Sequence, residues 1–241
     1  FGIYQSIDSL KRVQLTKEYM ITVQDMKGRI TRTHLLPLHN VQAEYDKISA
    51  EIEQLRENIE KNSVDDTGFS DFTLGLAYQN MKRFGKALEY FQMAKNKGWE
   101  STELYSGLGM GLAIDWNNRL IKSKSITDKQ EQEEFIKKAK DESYLPAIDY
   151  LKKAQVGAID FNYLAARLAY IEEDYDAALK FAEAEIKTNP WHYEALRLSS
   201  EVYLYKFKDE GRKLGYDVAL KYLDLSNQKL EESINIGRSD P

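Results

Sequence analysis

Cysteine is absent from all 241 residues, which excludes disulfides, thiolate metal ligands and cysteine nucleophiles. That lack suits a reducing compartment, and a cytoplasmic location is the expectation. Long apolar runs are also missing. None reaches the roughly 18 residues that cross a bilayer, so no membrane insertion is expected. Proline is scarce at 4 residues, and no Asn-Gly or Asp-Gly turn joins alternating strands, which removes an all-β fold. Nor is there an excess of positive charge. With a net charge of −5, the chain offers nucleic acid or an anionic membrane no long-range attraction. The chain opens on Phe1 rather than Met, so the lack of a signal segment at its start carries little weight. What is plentiful is Ala, Leu, Lys, Glu and tyrosine, 16 of the last, and these point to an all-α protein.

Catalytic signatures are missing too. There is no glycine-rich phosphate loop after a strand, no His-Arg-Asp and no Asp-Phe-Gly. Gly107, Gly109 and Gly111 alternate inside a helical stretch, where close helix packing explains them better than nucleotide binding. Of the three histidines, His34 and His39 flank Pro37 at a spacing of five, which does not suit a helical metal pair, and His192 stands apart. The acidic runs at 131–134 and 172–174 read as solvated turns and faces. No catalytic residue, metal site or cofactor is expected. Basic residues do not gather into a stripe with interleaved aromatics, so RNA is not an expected partner.

The positive signal is a 34-residue period. Leu74 and Gly75 recur as Leu108 and Gly109. Around the first pair, Leu74, Gly75 and Tyr78 share one helical face, and Phe84, Ala87, Leu88, Phe91 and Ala94 share the next, with Lys82, Arg83 and Gly85 marking the turn between. Gly75 and Ala87 leave room for a partner backbone, and the rings of Tyr78 and Phe91 fill the space beside them. Leu-Gly-x-x-Tyr followed by Ala, Phe and Ala at these spacings resembles the tetratricopeptide repeat (TPR) family.

Four irregular copies are legible: 68–101, 102–158, 159–192 and 193–230, within a repeat region of 66–236. Ala87 and Ala147 lie 60 residues apart, which places a 26-residue insertion at 117–142 in the second copy. The third has Ala165 and Ala166 in place of Leu-Gly, and the turn of the fourth carries 7 extra residues. The resemblance implies a TPR-type helical-hairpin solenoid, a right-handed superhelix whose first helices line a concave surface. A generic helix bundle is the competing reading. The insertion reads as longer helices joined by a mobile loop near 123–129, or as a partner-binding protrusion.

Residues 1–65 are expected to form a helical linker or cap: a helix over 10–27, a break at Pro37, and a second helix on the face of Ile48, Ile52, Leu55 and Ile59. Residues 62–71 read as a loop entering the repeats. Arg29, Ile30, then Leu35, Leu36, Pro37, Leu38, His39, Asn40 and Val41, then Glu44, resemble the segment that joins the kinase domain to a C-terminal TPR array in some bacterial serine/threonine protein kinases. This implies the sensory or scaffolding tail of such a kinase, with its catalytic part upstream of Phe1.

The TPR resemblance implies that the partner-binding face is the side of each first helix turned away from its own second helix. It offers Phe72, Leu76, Gln79 and Asn80, then Ser106, Met110 and Ala113, then Tyr163, Arg167 and Tyr170, and finally Arg197, Glu201 and Leu204. This mixture suits a protein or peptide ligand laid in a groove, with Arg167 and Arg197 able to take carboxylates. The Lys and Asn clamp of chaperone-binding TPRs is not reproduced, because Phe72 and Leu76 stand in its place. The groove filled by the chain's own insertion or leader is one alternative. A scaffold or self-association module of a free-standing assembly factor is another.

Overall fold

The computed structural model describes residues 2–62, 67–156, 158 and 160–239, and the side chains of all of these except 2–12, 210–212 and 214. The helices are α1 (Gly2–Leu35), α2 (Gln42–Asn62), α3 (Phe69–Asn80), α4 (Phe84–Asn96), α5 (Thr102–Ser123), α6 (Lys129–Ala139), α7 (Leu145–Gln155), α8 (Phe161–Ile171), α9 (Tyr175–Thr188), α10 (Tyr193–Leu214) and α11 (Tyr216–Ile236). No strand occurs among the described residues. The fold is all-α and built from TPR-type helical hairpins, and it divides into two compact units: Phe1–Thr33 with Asn40–Tyr150, and His34–His39 with Leu151–Pro241.

In the first unit the leader helices and the first hairpin share one core. Tyr19, Val23, Met26 and Ile30 of α1 and Ile48, Ile52 and Leu55 of α2 are buried with Leu74, Tyr78, Phe91 and Leu104. The apolar residues of α2 recur at helical spacing, and burying that face stabilises a helix whose remaining surface is charged. Arg29 ties the two leader helices together, its Nε donating to Glu44 Oε1 at 2.8 Å and its Nη1 to Glu51 Oε2 at 2.8 Å. The hydrogen bond from Arg29 holds the Glu44 carboxyl below its usual range. α1 ends at Leu35, two residues before Pro37, as the steric demand of a proline on its predecessor requires. Of the expected entry loop, 63–66 lie outside the described residues, and 69–71 are already helical. Gly68 precedes them at a φ of +81°, with its carbonyl accepting from Phe72 N–H at 2.9 Å.

The α3–α4 and α8–α9 turns share one device. At the end of α3, Arg83 N–H donates to Tyr78 O and Lys82 N–H to Gln79 O, both at 2.9 Å, with Lys82 at a φ of 55°. At the end of α8, Asp174 N–H donates to Ala169 O at 2.9 Å and Glu173 N–H to Tyr170 O at 3.2 Å, with Glu173 at a φ of 61°. These are Schellman closures, which usually carry glycine at the left-handed position. An L side chain costs about 1–2 kcal/mol there, and glycine's extra freedom in the unfolded chain returns part of that. Lys82→Gly and Glu173→Gly should therefore each stabilise by about 0.5 kcal/mol. Urea denaturation checks this, and a lowered midpoint contradicts it.

The insertion consists of helix and a short turn. α5 runs to Ser123, and α6 opens at Asp128, whose carboxylate caps Glu131 N–H at 2.8 Å. Between α6 and α7 the helix widens to a π turn over Lys140–Tyr144. Pro146 follows at once, with no N–H to donate and a ring that crowds the preceding turn, and a widened turn relieves both. The fourth repeat differs from expectation. Its extra residues extend α10 to Leu214, and Gly215 alone, at a φ of +104°, connects it to α11. The run KFKDEGRK is rich in helix formers, so continuing the helix costs less than opening a loop.

In the second unit Ala166, Ala169, Ala178, Ala182, Leu198 and Val202 form one core cluster. Ala165 and Ala166 thus serve where Leu-Gly is usual, both buried in the hairpin of α8 and α9. α11 buries Ala219, Ser226 and Ser233, one every second turn, and these small side chains let α10 come close. Ser226 Oγ donates to Ser200 O and Ser233 Oγ to Tyr193 O, both at 2.9 Å. Residues 34–39 pack into the same unit. His34 Nδ1 lies 3.1 Å from Tyr193 Oη, and Ser239 N–H donates to His34 O at 2.9 Å.

Candidate functional site

The residues expected to face a partner fall into both units. In the first, Leu76, Gln79 and Asn80 on α3 and Ser106 and Met110 on α5 are partly buried. Phe72 is a correction. At 3% exposure it belongs to the core, stacked on Trp99 at 5.7 Å and 6.2 Å from Phe91, so it is not available to a ligand. The reason lies beyond α4, where Trp99 folds back over the start of α3 and meets Phe69 edge-on at 5.1 Å. Ala113 is buried as well.

In the second unit the expected residues come together. Tyr163, Arg167 and Tyr170 lie on α8, and Arg197 and Glu201, one turn apart on α10, carry charges that act on them. The Arg167 guanidinium sits 5.8 Å from the centre of the Tyr170 ring, a cation–π contact. Its Nε is buried and has no hydrogen-bond partner among the described residues. A buried donor left unpaired costs about 1–3 kcal/mol, so a ligand that supplied an acceptor there would recover that cost. Burial pushes the Tyr163 hydroxyl up, and of the charges around it Arg167 and Arg197 pull it down while Glu194 and Glu201 push it up. Burial, and then Glu201 and Tyr205, push Tyr170 well above the usual phenol range.

Two neighbours escaped the sequence. Tyr205 meets Tyr170 edge-on at 5.7 Å and stacks on Tyr175 at 5.7 Å, extending the aromatic floor. It lies four residues beyond Glu201, so the same helical spacing that picked out Arg197 and Glu201 leads to it. His192 packs its ring 4.5 Å from Tyr163 and meets the buried Glu185 carboxylate through Nδ1 at 2.7 Å. Its position before α10 gives no periodic signal.

The patch is aromatic, carries the guanidiniums of Arg167 and Arg197 with the carboxylates of Glu194 and Glu201 among them, and presents no nucleophile paired with a base. It can stack on apolar side chains and take a carboxylate. Among the described residues, no cluster of three or more His, Asp and Glu side chains is placed to hold a metal ion, and no helix is long and apolar enough to cross a membrane.

No protein-family model matches the chain, and no curated protein is detectably similar to it in sequence. Among solved structures, it is similar to the crystal structure of YrrB, described as a TPR protein with an unusual peptide-binding site, at 18% identity and a TM-score of 0.43 over 83% of this chain and 88% of that one. It is also similar to the crystal structure of MamA protein, at 17% identity and a TM-score of 0.46 over 91% of this chain and 93% of that one.

Proposed function

We propose that this chain is a non-catalytic protein-interaction module whose α8 and α10 faces bind a peptide or protein segment through its carboxylates. The observation that carries this reading is Arg167, with a buried and unpartnered Nε set against Tyr170 and within the electrostatic reach of Tyr163. Aromatic surface supplies contact area at low entropic cost, and a guanidinium fork supplies direction. In the first unit Leu76, Gln79, Asn80, Ser106 and Met110 are a proposed partner surface of their own. A panel of labelled peptides differing only in the number and place of acidic residues tests it by fluorescence anisotropy. Acidic amphipathic peptides should bind, and Arg167→Glu with Arg197→Glu should weaken them by at least about tenfold while helical content stays unchanged. Binding indifferent to peptide acidity or to the double charge reversal refutes the assignment.

The pathway we propose is that of a bacterial serine/threonine protein kinase, with this chain as its cytoplasmic sensory or scaffolding region. The support is the resemblance carried by Arg29, Ile30, residues 35–41 and Glu44. Kinase catalytic motifs encoded upstream of Phe1 are required by this reading, and their absence overturns it.

A further inference from the structure

Among the described helices, α10 is the one that packs extensively against α11, through the row of Ala219, Ser226 and Ser233. Beside that buried row runs a second: Tyr216, Leu220, Leu223, Asn227, Leu230 and Ile234, at alternating spacings of four and three. Tyr216 is 76% exposed, Ile234 56%, Leu230 41% and Leu220 38%. A helix face turned to water ordinarily carries polar and charged groups. Here Asn227 is the one polar member of the row. Apolar residues at alternating four and three form the seam of a coiled coil, a face shaped to receive another helix. A single Asn within such a seam fixes the register of the pairing at some cost in stability.

The two edges of this seam differ. One is the Ala219, Ser226 and Ser233 row, closed by α10. The other repeats every seven residues as Asp217, Asp224 and Glu231, all exposed. Lys221 lies further round the helix, beyond this acidic row. Edge charges of a heptad seam select the partner and its direction.

We propose that this face of α11 docks an amphipathic helix of another protein, apolar at heptad spacing and bearing Lys or Arg along the edge that meets Asp217, Asp224 and Glu231. A polar residue in the partner's own seam would meet Asn227. A second copy of this chain fits poorly. In an antiparallel pair the acidic edge would meet itself. In a parallel pair it would have to meet the partner's small-residue row, which is buried against α10. The α11 face is separate from the Arg167 patch and stands whether or not that patch binds peptides.

Two synthetic helices test the proposal, sharing one leucine heptad core with a single Asn, one carrying Lys at the edge positions and the other Glu. By anisotropy against the full chain at low salt, the Lys helix should bind at least about tenfold more tightly than the Glu helix. Ile234→Glu, at an exposed position, should weaken the Lys helix by about tenfold without altering the circular dichroism. Reversing the edge with Asp217→Lys, Asp224→Lys and Glu231→Lys should invert the preference. Equal binding of both helices overturns the proposal, as does binding of neither. A concentration-dependent dimer that Ile234→Glu abolishes would overturn it in favour of a second copy.

Discussion

Gly107→Ala should destabilise the first unit by about 2 kcal/mol, although alanine is the better helix former by about 1 kcal/mol. The Phe91 ring of α4 lies between Gly75 on α3 and Gly107 on α5. A methyl group at Gly75 would fall 2.5 Å from Cδ1 and Cε1 of that ring, and one at Gly107 would press on its other edge. Phe91 is buried within a packed core, so it has no free rotamer into which to retreat. Gly75→Ala should cost a similar amount. Gly28 supplies the opposite sign: it sits within α1 with nothing within 4 Å of an added Cβ, and Gly28→Ala should stabilise by about 1 kcal/mol. Denaturation followed by tryptophan fluorescence reads this unit well, since Trp99 and Trp116 lie in it. Phe91→Leu in the Gly107→Ala background should recover part of the loss, with a coupling of about 1 kcal/mol. A Gly107→Ala protein as stable as the parent would sink the clasp.

The clasp also shows what the sequence could and could not tell. The spacing of Leu74, Gly75, Tyr78, Ala87, Phe91 and Ala94 was enough to place the first hairpin, because burial on one face leaves a period that can be counted. It suggested that Gly75 makes room for a neighbouring backbone, whereas the structure fills that room with the Phe91 ring. Periodicity names the face and leaves its occupant open. Phe72 fails for a related reason: helical phase turned it outward, and Trp99, a loop residue with no phase, covers it. Lys82 and Glu173 hold left-handed positions without the glycine that would have announced them. On α8 and α10, the positions of Tyr163, Arg167, Tyr170, Arg197 and Glu201 follow from phase alone. The unpaired Nε of Arg167 and the reach of Tyr205 depend on packing that spacing does not encode. The motif around Pro37 was legible as a resemblance, and its physical content emerged only with the contacts: Arg29 meeting Glu44, and Leu36 O accepting from Ser239 Oγ at 3.1 Å.

Raising the pH from 10 to 12 should unfold the protein cooperatively. Tyr78 is buried, and its hydroxyl donates to Glu53 Oε1 at 3.0 Å. Burial first, and then that hydrogen bond, push it from an ordinary 10.0 up to about 12. Tyr90, Tyr163, Tyr170, Tyr175 and Tyr203 are raised as well, each chiefly by burial. A raised folded value means that the folded state keeps a proton the unfolded chain has already released. Below pH 10 the contribution is complete. Between 10 and 12 the unfolded state gains from ionising each such phenol while the native state does not, and stability falls by about 1.4 kcal/mol per pH unit for each group held protonated. The tyrosinate absorbance of these buried phenols should therefore appear in the same step in which helicity by circular dichroism is lost. Gradual ionisation near pH 10 with helicity intact to pH 12 would rule this out. Lysines also lose charge in this range, with ordinary values near 10.4, and Tyr78→Phe separates the two effects. The phenylalanine ring keeps the packing, and Glu53 keeps Arg56 at 3.0 Å. At neutral pH the variant should be less stable by about 1 kcal/mol, the worth of the lost hydrogen bond. With one fewer phenol to ionise, its stability falls less steeply above pH 10. The two stability curves should therefore cross between pH 10 and 12, and parallel curves would show that lysine discharge alone drives the alkaline transition.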